Sequence, residues 1–137
     1  MNGWLLIVAS LVITCLMWVG AKEVNIAYSS AQGASQVVAL LGFMSLVWTF
    51  IIATRHSVIE TLFEGLDKAY KAHHILGGLS FILLVNHVLL LLIAALPENT
   101  LKLYLLPGTS LPYTLGILAL YVMFFLLILS NVSTFRL

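Results

Sequence analysis

Cysteine and charge are both scarce in this chain, and each scarcity excludes something. With Cys15 as the one cysteine in 137 residues, an intrachain disulfide is impossible, and cysteine usage says nothing about redox compartment. Six Lys or Arg and five Asp or Glu leave no basic run that could track a nucleic-acid backbone. The first 21 residues hold no Lys or Arg. A signal peptide normally opens on such charges, so the small residues of "WVGAKE" do not mark a cleavage site. Trp4 and Trp18 instead bracket the first apolar run as interfacial aromatics bracket a retained span.

What the chain does have is apolar surface. Hydrophobic residues make up 62% of it, more than a core of this size can hide, so lipid must be the solvent. Four apolar segments, about 4–21, 36–54, 70–96 and 112–130, each approach the roughly 20 residues that cross a bilayer core. The expected fold is all-α, a polytopic membrane bundle of four transmembrane helices in one domain spanning 1–137. Arg55, Lys68, Lys71 and Arg136 fall on one side of such a bundle, and only Lys22 and Lys102 on the other. That bias places both termini in the cytoplasm of a multi-pass cell-membrane protein.

The links have their own grammar. "KEVNIAYSSAQGASQ" reads as a polar loop, and "PENTLKLYLLPGTSLP", which holds all three prolines, as a link lying across the interface. Ser57 and Glu60 form an S-x-x-E capping box ahead of a short helix that Gly65 can end. Asp67 is expected to cap the third span at Lys68, and Ser110 with Pro112 to start the fourth.

Histidine carries the functional signal, because an ionisable residue inside a span needs a partner. The four are His56, His73, His74 and His87. On a helix, 73 and 87 end about 40° apart and about 21 Å along the axis, whereas 74 and 87 diverge by about 140°. Gly77 and Ser80 continue the stripe from His73 through Leu84 to His87. Asn86 could orient a neighbour through a hydrogen bond. Such a stripe suits two stacked haems, with imidazole nitrogens on iron and small residues admitting the flat macrocycle. It suits tight helix packing equally well, so spacing leaves both readings open. His56 and His74 are expected to face solvent or lipid. No Cys-x-x-Cys-His occurs, which argues against covalent c-type attachment.

The segment "ATRHSVIETLFEGLDKAYKAHHILGGLSFILLVNH" resembles the ferric reductase-like transmembrane domain family, which includes ferric-chelate reductases, NADPH oxidases and bacterial predicted ferric reductases. The shared features are Arg55, Gly65-Leu66-Asp67, His73 followed by Gly77, and His87. The likeness is strongest over 53–92, and "LGILALYVMFFLLILSNVSTFRL" is similar to the family's fourth span. The resemblance implies a six-span core holding two b-type haems, each gripped by one histidine from the third span and one from the fifth. His73 would bind the inner iron, His87 the outer, and Arg55 a propionate, though Arg55 could equally be a positive-inside anchor. A cytoplasmic FAD- and NAD(P)H-binding dehydrogenase domain or subunit would feed electrons one at a time to an acceptor across the membrane.

Two departures qualify the likeness. His74 stands where the family usually has Arg, so His73 and His74 compete as the inner ligand. Leu137 falls about where the link to the fifth span would begin, so the chain is expected to be an N-terminal portion or to need further transmembrane helices. When complete it would be an oxidoreductase. The alternatives are a haem-binding membrane subunit donating electrons to a methionine sulfoxide reductase, and a cofactor-free scaffold or transport component.

Overall fold

The computed structural model describes residues 3–22, 30–96 and 110–134, together with positions 102, 106 and 108. Among these, five helices succeed one another and no strand occurs: α1 (Gly3–Lys22), α2 (Ser30–Ala53), α3 (Ser57–Phe63), α4 (Leu66–Ala95) and α5 (Leu111–Thr134). Helix suits an apolar solvent because it satisfies its own backbone, where lipid offers no hydrogen bonds. α1, α2 and α4 are long and apolar enough to cross a membrane. The apolar stretch described in α5, Leu111–Leu126, is shorter. The proline-bearing link expected at the interface lies largely outside the described residues, as does most of the polar loop after α1.

Two compact units divide the chain, Met1–Leu90 and Leu91–Leu137. In the first, the core is small: Ile7, Ile52, Phe63, Ala69, Ala72 and Leu76, flanked by Leu11, Trp48, Ile59 and Leu62. It joins one end of α1, α2 and α4 to α3. Outward faces stay apolar, with Leu5, Val12, Leu16, Met17, Phe43 and Phe50 all exposed. That is the surface of a protein solvated by hydrocarbon. Serine and threonine inside the helices bond back along their own turn, as in Thr14 Oγ1 to the Ser10 carbonyl and Ser45 Oγ to that of Leu41. Between helices, Trp48 Nε1 donates to Ser10 Oγ at 2.8 Å and ties α1 to α2.

The helix ends correct three expectations. α2 begins at Ser30, six residues before position 36, so Ser30–Ser35 is helix and not loop. Small polar residues lower hydropathy without breaking a helix, and Trp18 Nε1 reaches Gln36 Oε1 to hold this end against α1. The capping box does not form: His56 caps α3, its Nδ1 accepting from the Val58 N–H. Asp67 sits inside the first turn of α4, where its charge favours the helix dipole, and the Gly65 carbonyl takes the first N–H, from Ala69. Gly65 does mark the end of α3, as expected, with Glu64 and Gly65 both at positive φ.

In the second unit, α5 starts where Ser110 and Pro112 predict. The Ser110 carbonyl accepts from the Thr114 N–H, and Thr114 Oγ1 takes the Gly108 N–H. The hydroxyl of Ser110 has no partner among the described residues, and its main-chain carbonyl opens the helix.

Gly3 is a point of close approach. A Cβ there would lie 2.7 Å from the ring of Phe63, which is buried as the pin between α1 and α3. Gly3→Val is therefore expected to displace that ring and cost about 1–3 kcal/mol, the usual penalty of overpacking. A lower melting temperature in detergent, read by circular dichroism, checks it.

Candidate functional site

α2 and α4 run antiparallel through the first unit and meet along small residues. Ser35, Gly42, Ser45 and Thr49 on α2 are all buried. On α4 the facing stripe carries His73, Gly77, Ser80, Leu84 and His87. Thr49 Cγ2 lies 3.8 Å from where a Cβ on Gly77 would stand, and Leu83 and Leu84 crowd the Cβ position of Gly42 at 3.1 Å. Ser80 is buried and bonds its own helix, Oγ to the Gly77 carbonyl at 2.8 Å. Gly77 and Ser80 thus lie on the face by which α4 approaches α2.

Both stripe histidines reach across to α2 in the same way. His73 Nδ1 is 3.0 Å from the Thr49 carbonyl oxygen, and His87 Nδ1 is 3.0 Å from that of Ser35. A carbonyl oxygen only accepts, so each Nδ1 carries the proton and donates it. In the neutral form of each ring, a proton on Nδ1 leaves Nε2 its lone pair. That is the donor a metal-ligating histidine needs, its other nitrogen being anchored by main chain. The two rings are half-buried and stand about 21 Å apart along α4.

The remaining candidates divide. Arg55, two residues past α2, sits in the left-handed region at φ 51° and lines a cavity of about 320 Å³ together with His73, Tyr70 and Asp67. The structure therefore brings Arg55 and His73 to one space. His74 is exposed, as expected, and stacks edge-on against Tyr70 at 4.4 Å. His56 is exposed too, but caps α3. Asn86 Nδ2 donates to the Ile82 carbonyl one turn back. Among the described residues no three His, Cys, Asp or Glu side chains gather into a site for a bare metal ion. Just before α4, the Glu64 carboxyl is held below its usual pKa by the ammonium of Lys68 in the first turn of that helix.

Sequence reading missed Ser35 and Thr49. Their signal was present: Ser35, Gly42 and Thr49 recur at intervals of seven, as do His73, Ser80 and His87. Two such stripes on antiparallel helices meet residue for residue in reverse order.

The family model described as ferric reductase-like transmembrane component matches residues 38–137. The chain belongs to this family. As a ferric reductase-like transmembrane component with three long apolar helices, it is a multi-pass membrane protein. The match covers Thr49, His73 and His87, and begins just after Ser35. No curated protein and no solved structure matches the chain.

Gly42 sets how closely the two stripes approach. Gly42→Val is expected to push α2 off Leu83 and Leu84 and lengthen both histidine contacts. A cysteine pair introduced at Val38 and Val88, spin-labelled and measured by electron paramagnetic resonance, should then report a wider separation than in the parent.

Proposed function

We propose that this ferric reductase-like chain is a haem b-binding electron-transfer module, with His73 and His87 each an axial ligand to a separate iron. The observation that carries the reading is the repeated geometry of the two rings, each with Nδ1 held by a main-chain carbonyl of α2. Haem needs a neutral imidazole of that tautomer, so the residues present fit the group. Bound haem would supply reversible one-electron acceptance.

The chain's own residues do the rest. α4 is continuous from Leu66 to Ala95, so it separates the two donors rigidly, one turn or two from its start and deep along its length. Held in low-dielectric surroundings, the carbonyl contacts keep each ring from rotating or changing its protonated nitrogen. Arg55 would pair its guanidinium with a propionate carboxylate in the cavity it shares with His73. His73 is favoured over His74 as the inner ligand because His74 is exposed and engaged with Tyr70. His56 and His74 both lie at the His73 end, so of this chain's histidines only His87 would hold the second haem. With Arg55, Lys68 and Lys71 at that end, we assign it to the cytoplasm, and α5 to a fourth span. A cytoplasmic flavin dehydrogenase using FAD and NAD(P)H would deliver the electrons, and the acceptor would lie across the membrane.

The test is a reduced-minus-oxidised spectrum of the full-length protein in detergent. Bis-imidazole b-type bands are expected, with about half the haem lost in His73→Ala and in His87→Ala. A colourless protein, or full haem in both variants, sinks the reading. Arg55→Ala should keep both haems and weaken the one at His73 by up to about fivefold, since an exposed ion pair contributes at most about 1 kcal/mol. Haem titration of the apo-protein measures that.

A further inference from the structure

The two histidine contacts differ in one respect. His73 Nδ1 faces one acceptor on α2, the Thr49 carbonyl, while the Thr49 hydroxyl is turned away to the Ser45 carbonyl at 2.9 Å. His87 Nδ1 faces two: the Ser35 carbonyl at 3.0 Å and the Ser35 hydroxyl oxygen at 2.8 Å. The same hydroxyl lies 3.2 Å from the His87 carbonyl, which can only accept, so its one hydrogen goes there. Its oxygen lone pair is then presented to the His87 N–H. Ser35 is fully buried, so no solvent competes for these contacts.

Resting on the haem reading above, we infer that Ser35 is a positioning residue that makes His87 the stronger electron donor of the two. Its carbonyl and hydroxyl share the Nδ1 proton, and its hydroxyl closes a ring of contacts back to the His87 main chain. Drawing the N–H outward raises the basicity of Nε2, which favours the oxidised iron and lowers the potential at that site. Thr49 exerts no such pull through its side chain on His73. The two sites therefore differ in potential through a hydroxyl that one has and the other lacks. Ser35 lies three residues before the segment that the family model matches, and His87 lies inside it.

The first measurement needs no haem. In 15N-histidine-labelled chain in nanodiscs, the His87 signals, assigned with His87→Gln, are expected to show the proton on Nδ1. A proton on Nε2 overturns the inference. The second is a redox titration of the full-length haem-loaded protein. Ser35→Ala should raise the midpoint of one haem only, changing its reduced-to-oxidised ratio at fixed potential by up to about tenfold, the lower end of outer-shell effects, or 59 mV for one electron. Ser35→Thr, which keeps the hydroxyl, should restore it, and Thr49→Ala should move neither haem. Unchanged midpoints in Ser35→Ala, equal shifts in both haems, or loss of the outer haem in the alanine and threonine variants alike would each overturn the role of Ser35. A colourless wild-type protein overturns the haem reading itself, whereas a coloured one that ignores Ser35 overturns only this inference.

Discussion

An imidazole N–H placed in hydrocarbon has no water to turn to, and that constraint organises the first unit of this protein. Each stripe histidine of α4 gives its proton to a carbonyl of α2. A helix carbonyl already accepts one bond from its own helix and has a second lone pair to spare, so the acceptor comes without breaking α2. The donor and acceptor meet only if the two backbones come close. Small side chains make that possible, and Gly42, Ser45, Gly77 and Ser80 lie between the two contacts. The polar pairs and the small residues are thus one feature: without the second, the first could not form.

The rest of the unit holds that helix pair in place from one end. Phe63 fills the gap over Gly3 and sits in a cluster with Ile7, Ile52, Ala69, Ala72 and Leu76. The cluster is slight for 90 residues, which is what lipid solvation allows, since apolar side chains gain little by leaving hydrocarbon. Specific polar contacts carry more of the specificity: Trp48 to Ser10, Trp18 to Gln36, and Ser35 to His87. α3 has another task. It turns the chain by way of two residues at positive φ, Glu64 and Gly65, and so brings Arg55 just past α2 beside His73 near the start of α4.

The candidate site was legible in part. The His73–His87 spacing on one helical face is arithmetic, and it holds because α4 is unbroken from Leu66 to Ala95. Arg55 was legible through its resemblance to a family motif, and the cavity beside His73 gives it a neighbourhood. What escaped was every partner on α2. By sequence Ser35 reads as loop, because hydropathy falls through "SSAQGASQ" and low hydropathy looks like an exit from the membrane. A helix end needs no hydropathy, only backbone bonds, and Gln36 held by Trp18 supplies the anchor. The expected capping box at Ser57 failed for a similar reason: His56, one residue earlier, offers a ring nitrogen to the Val58 N–H, so the helix is capped before Ser57 could act.

Composition and period alone determined that this chain lives in lipid, that it is helical, and that two of its histidines share a face. Those properties follow from local geometry and from transfer out of water, which act on residues near in sequence. Only the tertiary structure decided which nitrogen of each ring is protonated and which side chain lies behind it. Ser35 and His87 are 52 residues apart, and nothing short of the antiparallel packing of α2 on α4 brings a hydroxyl and a carbonyl to one imidazole. Contacts of that kind depend on the register between two helices, and a register is a property of the pair, absent from either helix taken singly.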